Sequence, residues 1–328
     1  MGCNHPLKAF DTGELTENGK PLYVIAASNR PVFPYREALK ITQKESLNVE
    51  TLEMNGSRFL INPVEIPCGK CVGCRMSHAK EWAVRCTLEK QYYPDDACLF
   101  LTLTYRNSDL PPDGQLRKKD LQDFWKRLRF AGYKFRYFAC GEYGETYHRC
   151  HFHAIVFGLR LADLKFKELS GTMSQLYESQ ELTRIWSHGL AVVGYADSAS
   201  IAYVAGYVEK KQRDPRWDSY LVKPFLTMSR KPAIGTFYLE DNEASIISTN
   251  KVYGNFGTTH SHSVPRHFLR KLGVKDETWY AGRSLVMQER GKAAKLVDRV
   301  SFNCDKDWLI GEMKDEILIH KLNEIERS

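Results

Sequence analysis

The chain has 328 residues, 43% of them hydrophobic and 12% aromatic, enough to build a core and to exclude wholesale disorder. Its 47 Lys+Arg against 40 Asp+Glu give a formal charge of +7, a mild lean toward polyanions whose meaning depends on where the charge sits. No apolar run is long enough for a membrane helix, no export signal is visible, and no G-x-x-x-x-G-K-[ST] loop is present, which disfavours a P-loop ATPase.

Taken in chain order, residues 1–66 read as an irregular extension with short strands at Leu22–Ala26 and Arg58–Ile61. Residues 67–93 hold a cysteine cluster and then a helix from His78 to Gln91. CLFLTLTY (98–105) is a β-rich apolar run closed by the Pro111-Pro112 turn. KKDLQDFWKRLRFAG (118–132) places Leu121, Phe124, Trp125 and Leu128 at helical spacing. FRYFACGEYG (135–144) and CHFHAIVFG (150–158) are strands joined by a short polar link. A helix over 178–187, a strand over 190–196 and a Ser-capped helix over 198–211 follow. The order β, α, β, β, α, β, α predicts an α+β fold of the ferredoxin-like class, a mainly antiparallel sheet with helices on one side. Residues 212–250 read as irregular, and two helices are expected near 276–298 and 306–326.

The chemistry begins with His151-Phe152-His153. On a strand, residues i and i+2 share a face, so two coplanar imidazoles would project together as a ready pair of metal ligands, while Phe152, Ala154 and Val156 pack the other side. Two histidines satisfying hydrogen bonds at a strand end would leave the same trace. His260-Ser261-His262 has the same spacing but lies in a Gly/Thr/Ser-rich stretch with no strand to hold it. If 135–142 and 150–157 form a hairpin, Glu142 comes near the imidazoles, with Glu145 as its competitor. Such a set suits Mg²⁺ or Mn²⁺.

Tyr203 and Tyr207, spaced i and i+4, share one face of a helix that runs into Glu209, Lys210 and Lys211. Such pairs usually pack a core, but a tyrosine can also be a covalent nucleophile. The charge excess is local. Residues 117–136 carry eight Lys or Arg against two Asp, and 205–231 carry seven against three Asp or Glu. Lys126, Arg127, Arg129, Lys210 and Lys211 therefore read as a phosphate-backbone track, or as ordinary solvated helix faces.

Nine cysteines are an odd count, read as thiols or metal ligands rather than disulfides. Cys86, Cys98, Cys140 and Cys150 lie in or beside apolar runs, where a free cysteine acts as a small hydrophobe. Cys68, Cys71 and Cys74 form two C-x-x-C steps sharing a middle cysteine, with glycines that let backbone amides turn toward sulfur. That pattern favours a structural Zn²⁺ with Cys3 as fourth ligand, His5 and His78 being rivals.

Three elements in order, FLTLTY (100–105), HFH with Glu142 upstream, and YVAGYVEKK (203–211), resemble the HUH endonucleases that initiate rolling-circle replication. The closer resemblance is to the replication initiation proteins of microviruses in their gokushovirus branch, which is also similar in its PCGKCVGCR (67–75), WAVR (82–85) and FLTMSRKPAIG (225–235) segments. The resemblance covers roughly 67–235. It implies an HUH endonuclease core over 94–215, behind a Cys-rich N-terminal part (1–93) and ahead of a partly helical C-terminal part (216–328). It implies His151, His153 and Glu142 as metal ligands for Mg²⁺ or Mn²⁺, and Tyr203 and Tyr207 as nucleophiles. It implies a 5′-phosphotyrosine intermediate on single-stranded origin DNA, rejoining without ATP, host helicase and polymerase as partners, no membrane association, and a bacterial cytoplasmic location. Another HUH nickase (a relaxase or transposase) and a non-catalytic zinc protein that binds single-stranded DNA are the rival readings.

Overall fold

The structure is a computed structural model and describes residues 3–17, 21–27, 30–144, 146–170, 174–211, 219–302, 304 and 307–327. The chain divides into two compact units, one built from residues 1–77 and 284–328, the other from 78–283.

In the first unit, Leu7–Leu15 pairs with Pro21–Ala26 on one side and Val64–Ile66 on the other, all antiparallel. A second three-stranded sheet joins Phe33–Pro34, Ser57–Leu60 and Thr51–Met54. Helix Tyr35–Thr42 closes a small core of Phe10, Val24, Phe33, Ala38 and Leu60. The N-terminal part is therefore a folded β-rich element and not an irregular extension. A two-residue turn joins Thr51–Met54 to Ser57–Leu60. Asn55 and Gly56 both have positive φ, 50° and 73°, which a two-residue hairpin loop requires and which Asn-Gly supplies at low cost.

The second unit is organised by a seven-stranded sheet. Its strands are β1 (Cys98–Tyr105), β2 (Arg136–Tyr143), β3 (Cys150–Phe157), β4 (Lys165–Leu169), β5 (Gln175–Glu178), β6 (Gly189–Tyr195) and β7 (Phe225–Met228). Their spatial order is β4-β5-β6-β1-β3-β2-β7, and every neighbouring pair is antiparallel. Four helices pack on it, α1 (Val72–Lys90), α2 (Lys118–Phe130), α3 (Gln180–Trp186) and α4 (Ser198–Lys211). The expected alternation over 98–211 is present, with one hairpin more, β4–β5. The polar sequence of β4 and β5 hid that hairpin, because strands this exposed, at or next to the sheet edge, carry little apolar signal.

The helices cover both faces rather than one. Leu99, Leu101 and Leu103 of β1, with Phe152, Ala154 and Val156 of β3, pack against Leu121, Phe124, Trp125 and Leu128 of α2 and Leu182 and Trp186 of α3. The opposite parity, Cys98, Cys140, Ile155 and Phe157, packs against Ile201, Val204 and Ala205 of α4 and Cys86 of α1. The physical reason lies in β1 and β3 themselves. They are apolar at both parities along part of their length, so both faces demand cover.

Residues 212–250, expected to be irregular, include β7 and the helices Thr236–Asp241 and Glu243–Thr249. β7 adds a sheet edge beside β2, and the segment after it is tied back to α1. Glu89, fully buried on α1, accepts hydrogen bonds from Arg136 at 2.5 Å and from the Gly235 amide at 2.6 Å. Gly235 has φ 81°, and a Cβ there would meet Phe268 at 3.0 Å. Ser261–Ser263 is also a short strand, so His262 does lie on a strand, contrary to expectation. The C-terminal helices are Glu277–Ser301 and Asp307–Arg327, preceded by an unforeseen helix over Arg266–Lys275.

Candidate functional site

The β2–β3 hairpin sets Glu142 directly opposite His151, and β1 sets Thr104 opposite His151 and Thr102 opposite His153. All belong to the parity that faces α4. Side chains directly opposite on neighbouring strands are within reach of one another, so the register alone gathers a carboxylate, two imidazoles and two hydroxyls.

Glu142 is fully buried, and its Oε1 lies 2.7 Å from His151 Nε2 and 3.1 Å from His153 Nε2. His151 Nδ1 donates to the Arg149 carbonyl at 3.0 Å, and His153 Nδ1 lies 3.0 Å from the Thr102 hydroxyl. Holding Nδ1 from outside orients each ring and leaves Nε2 pointing inward, the usual support for a metal-ligating histidine. The two ring planes are perpendicular, at 90°, and not coplanar; Nε2 convergence does not need coplanar rings.

Two nitrogen lone pairs and a carboxylate oxygen so close repel unless a proton or a cation sits among them. The three ligand atoms lie within 4.8 Å of one another, and Glu142 Oε2 is buried with no hydrogen-bond partner. An unsatisfied buried carboxylate oxygen is costly, and a divalent ion would meet that need. The donor set, two nitrogens and one oxygen with an open side, fits Mg²⁺ or Mn²⁺. Burial pushes the Glu142 carboxyl up, but hydrogen bonds from His151 and His153 outweigh it and hold the carboxyl below its ordinary range.

Tyr203, on α4, is 42% exposed. Its ring meets the His153 ring edge to face, with centroids 5.3 Å apart, and meets Phe100 in the same way at 6.2 Å. Phe100 in turn stacks on His153 at 5.5 Å. Tyr207 lies one turn further along α4; its side chain, with those of Lys210 and Lys211, is outside the described residues, as is Glu145.

Two clefts share His153 in their linings. One, of about 330 Å³, is lined by Thr102, Thr104, Tyr147, Arg149 and His151. The other, of about 380 Å³, is lined by Phe100, Leu176, Gly194, Ser200 and Tyr203. Arg149 was not singled out from the sequence. Its guanidinium is braced by Asn107 Oδ1 at 2.8 Å and by the Tyr105 carbonyl at 2.5 Å. Its parity with His151 was the available signal.

Lys126, Arg127 and Arg129 are not brought to this site. They are carried by α2, on the other face of the sheet. Arg127 donates to the carbonyls of Ile185 at 2.7 Å and Trp186 at 2.9 Å, which caps the end of α3. Arg129 sits over the Phe135 ring at 4.7 Å. Lys126 pairs with Asp123 on its own helix at 3.4 Å.

In the other unit, Cys3, Cys68, Cys71 and Cys74 bring four sulfurs within 4.8 Å of one another. Cys3 and Cys71 are 3.8 Å apart, Cys68 and Cys74 4.0 Å. A tetrahedral zinc with bonds of about 2.3 Å sets sulfurs at roughly this spacing. Backbone amides of Lys70 and Cys71 point at Cys68 Sγ, each at 3.3 Å, and the Cys68 amide points at Cys3 Sγ at 3.2 Å. Burial raises the Cys68 thiol, yet those amides outweigh it and bring it down to about 7, toward the thiolate that metals bind. His5 is engaged elsewhere, 2.9 Å from Asp315.

A family model for replication-associated protein ORF2/G2P matches residues 98–212, the stretch that holds β1 through α4. Over 303 residues the chain is 31% identical to replication-associated protein ORF2 of Spiroplasma virus 4, covering 85% of this chain and 88% of that one. It is 32% identical over 211 residues to replication-associated protein VP4 of Bdellovibrio phage phiMH2K, covering 62% and 65%. It is 32% identical over 194 residues to replication-associated protein ORF4 of Chlamydia phage 1, covering 56% and 48%. The chain thus spans just under two thirds of the phiMH2K protein and about half of the Chlamydia phage protein. No solved structure matches it. The chain belongs to the phage replication-associated protein family.

Proposed function

We propose that this chain initiates rolling-circle replication by nicking and rejoining single-stranded origin DNA through an HUH-type core. The observation that carries the reading is the convergence of Glu142 Oε1 with both imidazoles, with the Tyr203 ring against His153. A Mg²⁺ or Mn²⁺ held by Glu142, His151 and His153 would polarise the oxygens of the scissile phosphate. Thr102 and the Arg149 carbonyl keep the two imidazoles aimed inward. Tyr203 offers the attacking oxygen. A bond forms from that oxygen to phosphorus as the bond to the 3′ oxygen breaks, the phenolic proton leaves, and the 3′ oxygen takes up a proton. The resulting 5′-phosphotyrosine keeps the ester energy, so rejoining needs no nucleotide. Tyr207, one turn along α4, would make the second cut. Host helicase and polymerase would unwind and extend the strand in the bacterial cytoplasm. Cys3, Cys68, Cys71 and Cys74 would hold a structural Zn²⁺.

The test is a denaturing gel of the full chain with single-stranded phage-origin oligonucleotides and Mn²⁺ or Mg²⁺. Nicking and a covalent protein–DNA band are expected, and both vanish in Tyr203→Phe/Tyr207→Phe. A band that survives the double substitution would overturn the tyrosine assignment. Metal-independent binding without any cleavage would favour a non-catalytic single-stranded DNA-binding protein.

A further inference from the structure

The two clefts beside His153 differ in chemistry. The 330 Å³ cleft carries Arg149, the Thr102 and Thr104 hydroxyls and two of the metal-ligand candidates, His151 and His153, a lining suited to phosphate. The 380 Å³ cleft has no lysine or arginine among its described lining residues. It is lined by Phe100, Leu176, Ala199 and Tyr203, with Ser200 and Asp197 as polar groups among them. A volume near 380 Å³ is at the small end of ligand pockets, which run from roughly 300 to 1,000 Å³. Gly194 also lines it. A Cβ built there would lie 3.8 Å from Leu176 Cδ2 and 3.8 Å from Phe100 Cδ1, ordinary contact distances. The position therefore tolerates a side chain, and its lack of one keeps the space open.

We propose that this apolar cleft takes one nucleobase of the strand whose neighbouring phosphate lies at His153, and so reads the base beside the nick. The inference rests on the nicking reading for its biological meaning. Its physical basis is separate: a largely apolar cleft with polar groups beside it accepts an unstacked base, and the Asp197 carboxylate in its lining disfavours a backbone phosphate there.

Gly194→Leu and Leu176→Trp fill the slot from two strands. Single-stranded oligonucleotides of about 20 nucleotides, substituted with 5-iodouracil or with 8-azidoadenine, are irradiated with the full chain in EDTA, and the adducts are mapped by mass spectrometry. An adduct on Phe100 is expected, reduced about tenfold or more in both filled variants. Thermal unfolding of each variant establishes that it is folded. Adducts only at Tyr147 in the cationic cleft, or a Phe100 adduct undiminished in both folded variants, would overturn the proposal. A parallel reaction with Mn²⁺ reads the covalent tyrosine band. A Phe100 adduct without that band leaves the base slot standing and removes the nicking reading. The band without the Phe100 adduct does the reverse.

Discussion

Glu142 is the residue on which the candidate metal centre turns. It is fully buried, and one oxygen serves both imidazoles. Glu142→Gln keeps the shape and removes the charge. Loss of supporting contacts around a metal ligand typically costs 10- to 100-fold, and loss of the ligand itself should reach at least the upper figure. Mn²⁺ titration calorimetry and the nicking gel are expected to show that drop together, and unchanged Mn²⁺ affinity would remove Glu142 from the ligand set. His267 makes a different single-residue prediction. Burial, then nearby Arg85, Lys271 and Arg270, push its imidazole down to about 4. The folded-state value is depressed below the ordinary 6.5, so the unfolded chain binds the extra proton first. Stability should therefore be full above about 6.5 and fall as pH drops toward 4. Urea midpoints across that range should decline less in His267→Phe, and equal declines would exclude His267 as the cause.

At the level of elements, the central strands and helices were legible because strong periodicity and burial agree. In α2, Leu121, Phe124, Trp125 and Leu128 form a stripe, and all four are buried, each contributing about 1.5–3 kcal/mol. The histidine pair was legible because the two-residue strand repeat needs no tertiary information. What composition could not reveal was the destination of a basic helix. Lys126, Arg127 and Arg129 look like a phosphate track on paper, yet α2 buries its stripe on the face away from His151. Arg127→Ala should accordingly lower stability by about 1.5–3 kcal/mol, the usual range for a hydrogen bond to a charged group. Chemical denaturation reads that loss, and an unchanged midpoint would show that the cap on α3 is idle. The Cys-rich element makes a second prediction. Zinc bound per chain, by elemental analysis, should fall from about one to near zero in Cys3→Ser and stay near one in His5→Ala. The reverse pattern would exchange the two ligands.

The whole chain folds as two units whose membership is not contiguous, since residues 1–77 associate with 284–328. No local pattern announces such a pairing, because it depends on contacts between segments more than 200 residues apart, such as His5 and Asn4 with Asp315 at 2.9 and 2.6 Å. The unit of residues 78–283 contains the whole seven-stranded sheet, three buried clusters and every residue of the candidate cleavage centre. Expressed alone, it should unfold cooperatively and still form a tyrosine–DNA band with Mn²⁺. A fragment that lacks a thermal transition would show that the other unit is required for folding.

The register of β2 against β3 has a consequence for heredity. A strand places alternate residues on opposite faces, so deleting one codon within Ala154–Phe157, while the end of the strand keeps its register, sends both imidazoles toward the leucine-rich side and Glu142 is left alone. A codon lost or gained in the polar link between the strands, residues 144–149, leaves that parity intact. Saturating deletion across 136–157 should therefore yield a sharp map of viability. Lethal positions should fill the two strands, and the tolerated lesions should collect in the six residues that join them.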